Sequence, residues 1–89
     1  MSTERVIREM LNSADEAFET RDFYLACFLR CAGYELVNLR GEGRRKVFVF
    51  RDRATRRADV MAFYADATSV RPLAFAATIK DMKGLLHNG

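Results

Sequence analysis

The run FETRDFYLACFLRCAGYELVNLRGEGRRKVFVFRD, Phe18 to Asp52, decides how this 89-residue chain folds. Thr20 is a good N-cap, and Asp22 lies in the first turn such a cap opens, where the helix dipole favours an acid. Residues 22–32 are then nearly all apolar, with only Arg30 breaking the run after Asp22. A helix apolar on all sides is covered on most sides, so a buried central helix is expected here. Gly33 supplies the left-handed residue that ends it. Next, 34–40 and 45–51 read as strands around Gly41-Glu42-Gly43, a hairpin signal. With Arg40 facing Arg44, Leu36 faces Phe48 and Tyr34 faces Phe50. One face then carries Tyr34, Leu36, Phe48 and Phe50, and the other Val37, Leu39, Val47 and Val49. A two-stranded sheet alone is marginal in water. This one is expected to need helices on one face, with room for a second copy of the chain on its other face or edge.

Upstream, Ile7, Met10, Leu11, Ala14, Ala17 and Phe18 recur at helical spacing and predict a helix over 4–18. Ser13 and Glu16 could instead form a capping box that starts a new helix, so a break at Asn12-Ser13 stays open. Downstream, Val60, Phe63, Tyr64 and Ala67 put one apolar stripe on a helix over 54–67. Pro72 suits the first position of a further helix, and its ring keeps Arg71 extended. Phe75, Ile79, Met82 and Leu86 give that helix its buried stripe, while Gly84 weakens its last turn by about 1 kcal/mol. The expectation is one α+β domain over 1–89: an N-terminal helix, a buried central helix, an antiparallel β-hairpin and two C-terminal helices. Residues 1–3 and 87–89 are expected to fray.

Hydrophobic residues make up 49% of the chain and charged residues 30%, the mix of a globular protein rather than a disordered one. No apolar run approaches the roughly 18 residues of a membrane span. The start, MSTERVIREM, carries acids and no unbroken apolar core, unlike a secretory signal, so a cytoplasmic location is the expectation. Cys27 and Cys31 stand four residues apart on one predicted helix, a poor geometry for a disulfide. With His87 as the single histidine, no metal-ligand set forms, and the cysteines read as small buried hydrophobes. No cofactor is expected.

The run Phe18-Glu19-Thr20-Arg21-Asp22-Phe23-Tyr24-Leu25-Ala26-Cys27-Phe28-Leu29, then Gly33-Tyr34, a strand, a Gly-Arg-Arg turn and Val47-Phe48-Val49-Phe50, resembles an uncharacterised family. Its members are small bacterial and phage-associated proteins classed as a domain of unknown function. The similarity covers roughly Phe18 to Leu86 and includes Phe63-Tyr64, Val70, Phe75 and Lys83. Where members carry an acidic cap before the last helix, this chain has Arg71-Pro72, which leaves an extra positive charge there. The resemblance implies the same fold and no particular activity.

Charge is where function can be argued. The net charge of +3 hides a segregation. Residues 1–35 sum to −3, 58–89 to zero, and 40–57 to +6, with eight basic residues against Glu42 and Asp52. Arg40, Arg44, Arg45 and Lys46 flank the hairpin turn, and Arg51, Arg53, Arg56 and Arg57 follow. Arg40 opposite Arg44 opposes hairpin stability, and Arg53, Arg56 and Arg57 crowd a helix N-terminus, where the dipole prefers acids. Local choices that oppose stability often mark function, and free N–H groups beside arginines suit an anion. These eight residues are the candidate nucleic-acid contact, made to the phosphate backbone since no recognition-helix pattern is present. The plain alternative is that they keep the hairpin soluble, guard its edge and pair with the acids of the N-terminal third. Of the aromatics, Phe18, Phe23, Phe28, Tyr34, Phe48, Phe50, Phe63 and Phe75 fall on core stripes. No Ser-His-Asp set is present, neither cysteine has a placed histidine, and Asp15, Glu16 and Glu19 sit on a polar helix face. A non-enzymatic binding module is therefore expected. The rival is protein interaction or self-assembly through the second apolar face or edge of the hairpin.

Overall fold

The computed structural model describes residues 16–88. Along them run β1 (Ala17–Thr20), α1 (Phe23–Cys31), β2 (Leu36–Glu42), β3 (Arg45–Arg51), α2 (Arg56–Tyr64) and α3 (Pro72–Asn88). The class is α+β, with a three-stranded antiparallel sheet in the order β1-β3-β2 and three helices. The expected N-terminal helix falls mostly outside the described residues, as does its possible break at Ser13. Its last positions are corrected. Ala17 and Phe18 are strand, and β1 pairs with β3 from Ala17↔Arg51 to Thr20↔Phe48. One of the hairpin's two edges, that of β3, is thus taken by the chain's own β1.

Helix α1 forms where the apolar run predicted it. Its N-cap is Asp22 rather than Thr20. The Asp22 carboxylate accepts from Leu25 N at 3.1 Å, and Thr20 Oγ1 accepts from Asp22 N at 3.1 Å. Thr20 is already committed to the sheet, so the helix starts two residues later than a Thr20 cap would place it. At the other end Gly33 takes φ +94°. Tyr34 N then donates to Leu29 O at 2.9 Å and Gly33 N to Arg30 O at 3.1 Å, the paired bonds of a Schellman stop. Leu25 to Leu29 are all buried, and α1 packs chiefly on α3, with α2 and β1 beside it. Met82 is the buried anchor of α3, and Phe75, Ile79 and Leu86 pack against the same core on its stripe.

The hairpin register differs from the expectation. Glu42 pairs with Arg45, Gly41 with Lys46, Arg40 with Val47, Leu39 with Phe48 and Asn38 with Val49. The loop is therefore Gly43-Arg44, with Gly43 at φ +62°, the glycine-first arrangement of a type II′ turn. Arg40 does not face Arg44. A bulge between Leu36 and Asn38 adds one residue, so Leu36 pairs with Phe50. The register change moves Leu39 to the Phe48 face. The bulge returns Leu36 to the face it was expected to share with Phe48 and Phe50. That face meets α1, with Phe18 joining it from β1. Tyr34 lies outside β2 and packs edge-on to Phe50, with ring centroids 6.5 Å apart.

On the opposite face Val47 and Val49 are nonetheless buried. Arg40 is the register neighbour of Val47 and Glu19 of Val49. The two reach across β3 and form a forked ion pair at 2.7 and 3.1 Å. Glu42 also accepts from Arg40 at 3.1 Å and from Arg21. A chain of four charges thus crosses the valines from one outer strand to the other.

Candidate nucleic-acid interface

The basic residues 40–57 do not form one patch. Arg45 and Arg51 bound β3, so the hairpin tip and the start of α2 lie about 20 Å apart at the rise of an extended strand. The two groups also differ in what their side chains do.

At the α2 end, three of the four arginines have intramolecular work. Arg51 Nε donates to Glu35 Oε2 at 2.7 Å. Arg53 lies over the Tyr34 ring, 4.4 Å from its centroid, and donates to the carbonyls of Ala32 and Gly33. Those carbonyls end α1, so Arg53 complements the negative pole of that helix rather than opposing the positive pole of α2. Arg56 pairs with Asp52 at 3.1 Å and covers Phe18, 4.6 Å from its centroid. The residues expected to make an anion site at the α2 N-terminus are therefore spent on packing, except Arg57, which is exposed. Asp59 in the first turn of α2 meets the dipole requirement. Its carboxylate accepts from Thr55 Oγ1 at 3.1 Å and from the buried Tyr34 hydroxyl. Burial, first, and the Asp59 hydrogen bond raise the Tyr34 pKa above its ordinary 10.

At the tip, Arg40 is held by Glu19 and Glu42, and these hydrogen bonds raise its pKa further. The bond from Arg40 lowers Glu19, and the bonds from Arg21 and then Arg40 lower Glu42. Arg44, Arg45 and Lys46 are different: none makes an ion pair with any described residue. Arg44 and Arg45 are exposed, and the Lys46 side chain runs past Gly41, where an added Cβ would sit 3.7 Å from Nζ. The β2–β3 ladder reaches Arg45 while β1 ends opposite Phe48. These three cations therefore sit on a two-stranded projection beyond the three-stranded part of the sheet.

Sequence reasoning missed this division because it counts charge along the chain. Besides the nearby Glu42, the acids that pair with Arg40 and Arg51 are Glu19 and Glu35 of the N-terminal third, as the plain alternative had it, but which arginines they reach is set by folding. The ring partners of Arg53 and Arg56 are equally distant in sequence. Among the described residues no group of three or more His, Cys, Asp or Glu side chains could hold a metal, and no helix is long and apolar enough to cross a membrane. Cys27 is buried and Cys31 half-buried, both free, with burial pushing the Cys27 thiol up to about 11.

Residues 15–88 match a protein family described as a domain of unknown function, DUF5659. No curated protein and no solved structure matches the chain.

Proposed function

Since the chain belongs to the DUF5659 family, whose function is unknown, we propose from the placement of its charges that it is a small non-enzymatic module. Its hairpin tip contacts nucleic-acid phosphates. The observation that carries this reading is the contrast between neighbours. Arg40, Arg51, Arg53 and Arg56 each have a structural partner, whereas Arg44, Arg45 and Lys46 stand together without an ion pair among the described residues. Three adjacent cations, unpaired among the described residues, cost self-repulsion, so a polyanion is the partner that offsets them. Arg57 adds a weaker point of contact at the far end of β3. The resemblance carried by Phe18–Leu29 suggests a bacterial or phage-associated setting, and the start of the chain, which lacks the look of a secretory signal, suggests a cytoplasmic one, where such a polymer is abundant.

The test is anisotropy of a labelled oligonucleotide titrated with protein over a salt series. Affinity is expected to fall steeply with salt and to be lost in the double variant Arg44→Glu, Arg45→Glu. A salt-independent signal, or an unchanged one in that variant, would remove the phosphate contact.

One observation favours a second reading. The outer edge of β2 is unpaired among the described residues, so a protein strand could add there. Self-association of that kind predicts a mass that rises with concentration and falls back on Val37→Lys.

A further inference from the structure

The chain has seven phenylalanines and three tyrosines. The eight assigned to core stripes are all buried or packed against the core. The remaining two are not: Tyr24 is 57% exposed and Tyr64 61%. They occur at the same end of α1. Tyr24 is in its first turn. Tyr64, on the last turn of α2, donates its hydroxyl to Asp22 Oδ2 at 2.7 Å, and Asp22 is the N-cap of α1. Each ring is braced edge-to-face by the phenylalanine before it, Phe23 at 5.4 Å and Phe63 at 5.3 Å. Phe23 and Phe63 pack against the core, so both tyrosines project from fixed supports.

This end of α1 is also the tip end of the sheet. The Phe23 ring lies 6.1 Å from that of Phe48. Lys46 is two residues nearer the tip on the same strand face, and Arg44 follows in the turn. Of the acids at this end, Asp22 is already occupied by Leu25 N and the Tyr64 hydroxyl, and Glu42 by Arg21 and Arg40. What remains is a pair of exposed rings at the end of the sheet that carries the cations without an ion pair among the described residues.

Rings and cations in this order match a polymer that offers flat faces and phosphates together. A duplex hides its base faces in the stack, whereas a single strand presents both. Resting on the phosphate-contact reading above, we propose that the ligand of this surface is single-stranded nucleic acid, with bases stacked on Tyr24 and Tyr64 and phosphates held by Lys46 and Arg44.

Three labelled probes of equal length test it: a thymidine strand, an abasic strand and a duplex. The thymidine strand is expected to bind roughly tenfold or more tighter than the abasic one, the scale of stacking on an aromatic. The double variant Tyr24→Leu, Tyr64→Leu is expected to erase that difference while keeping the salt-dependent affinity for the abasic strand, which also reports that it is folded. Tyr64→Phe, which keeps the ring, is expected to retain the difference. Because the chain has no tryptophan, tyrosine emission can be read directly, and only the base-bearing strand is expected to quench it. Equal affinity for thymidine and abasic strands, or tighter binding of the duplex, overturns the stacking proposal but leaves the phosphate contact standing. Failure of all three probes to bind at low salt overturns both.

Discussion

Asp66 holds a backbone conformation that a Cβ disfavours. It follows the end of α2 at φ +55°, where Ala67 N donates to Ala62 O at 2.9 Å and Asp66 N to Phe63 O at 3.1 Å. That is the stop Gly33 makes after α1, built here without a glycine. A non-glycine residue in this region costs on the order of 1 kcal/mol. Asp66→Gly is therefore expected to raise stability by about 1 kcal/mol, read as a higher urea midpoint with an unchanged slope. Asp22 is the opposite case, a side chain that two elements depend on. It caps α1 and accepts the Tyr64 hydroxyl from α2. Asp22→Ala is expected to lower stability by about 1–2 kcal/mol, the cost of a lost cap. Gly33 could be read from the sequence because a glycine after an apolar run has few other uses. Asp22 was legible as a residue of the α1 start but not as the cap, since Thr20 fits that position equally well until β1 claims it.

At the scale of elements, β2 shows how an edge is blunted. Pairs beside a two-residue turn alternate, so with Glu42 and Arg45 bonded to each other, the Leu39 amide points away from β3. Asn38 Oδ1 accepts from that amide at 2.9 Å, and the bulge at Val37 lies next to it. Both devices obstruct a strand approaching from outside. Asn38→Val frees the amide and raises strand propensity, and is expected to raise self-association above the parent's, read as a larger mass at equal concentration in sedimentation. The hairpin itself was legible from 34–40 and 45–51, but its register was not. Gly41 and Gly43 are equal candidates for a turn, and choosing the longer loop displaces the pairing. Strand β1 was hidden for a related reason. Over four residues, Ala17 to Thr20, two adjacent apolar residues give no alternation, and Ala17 and Phe18 also continue the helical spacing of the residues before them.

For the whole molecule, the carboxylates set an acid limit and three other groups an alkaline one. Asp22 is lowered from its ordinary 3.8, chiefly by the Tyr64 hydroxyl, and Glu19 and Glu42 are lowered by arginines. A lowered acid contributes stability above its unfolded value and loses it as pH falls through the folded one. Tyr64 is raised by its bond to Asp22, Tyr34 by burial, and Cys27 by burial to about 11. Raised groups contribute below their unfolded values and lose that contribution as pH rises. The melting temperature is expected to be flat between about pH 5 and 8, falling below about pH 4 and above about pH 10. A fall centred near neutrality in a pH series of thermal melts would contradict these assignments. The candidate site was half legible at this scale: Arg44, Arg45 and Lys46 stand out in the sequence, but what separates them from Arg40, Arg51, Arg53 and Arg56 is the arrival of distant acids, carbonyls and rings. The pairing of β1 with β3 also bears on how the chain reaches this state. Helix α1 and the hairpin form from neighbours in sequence, whereas β1 returns across both of them, and distant closures come late. Until β1 arrives, Val47-Phe48-Val49-Phe50 is an open apolar strand, ready to accept the same strand from another chain. Refolding yield should then depend on how dilute the protein is, since the strand that completes the sheet competes with its neighbours' copies for one edge.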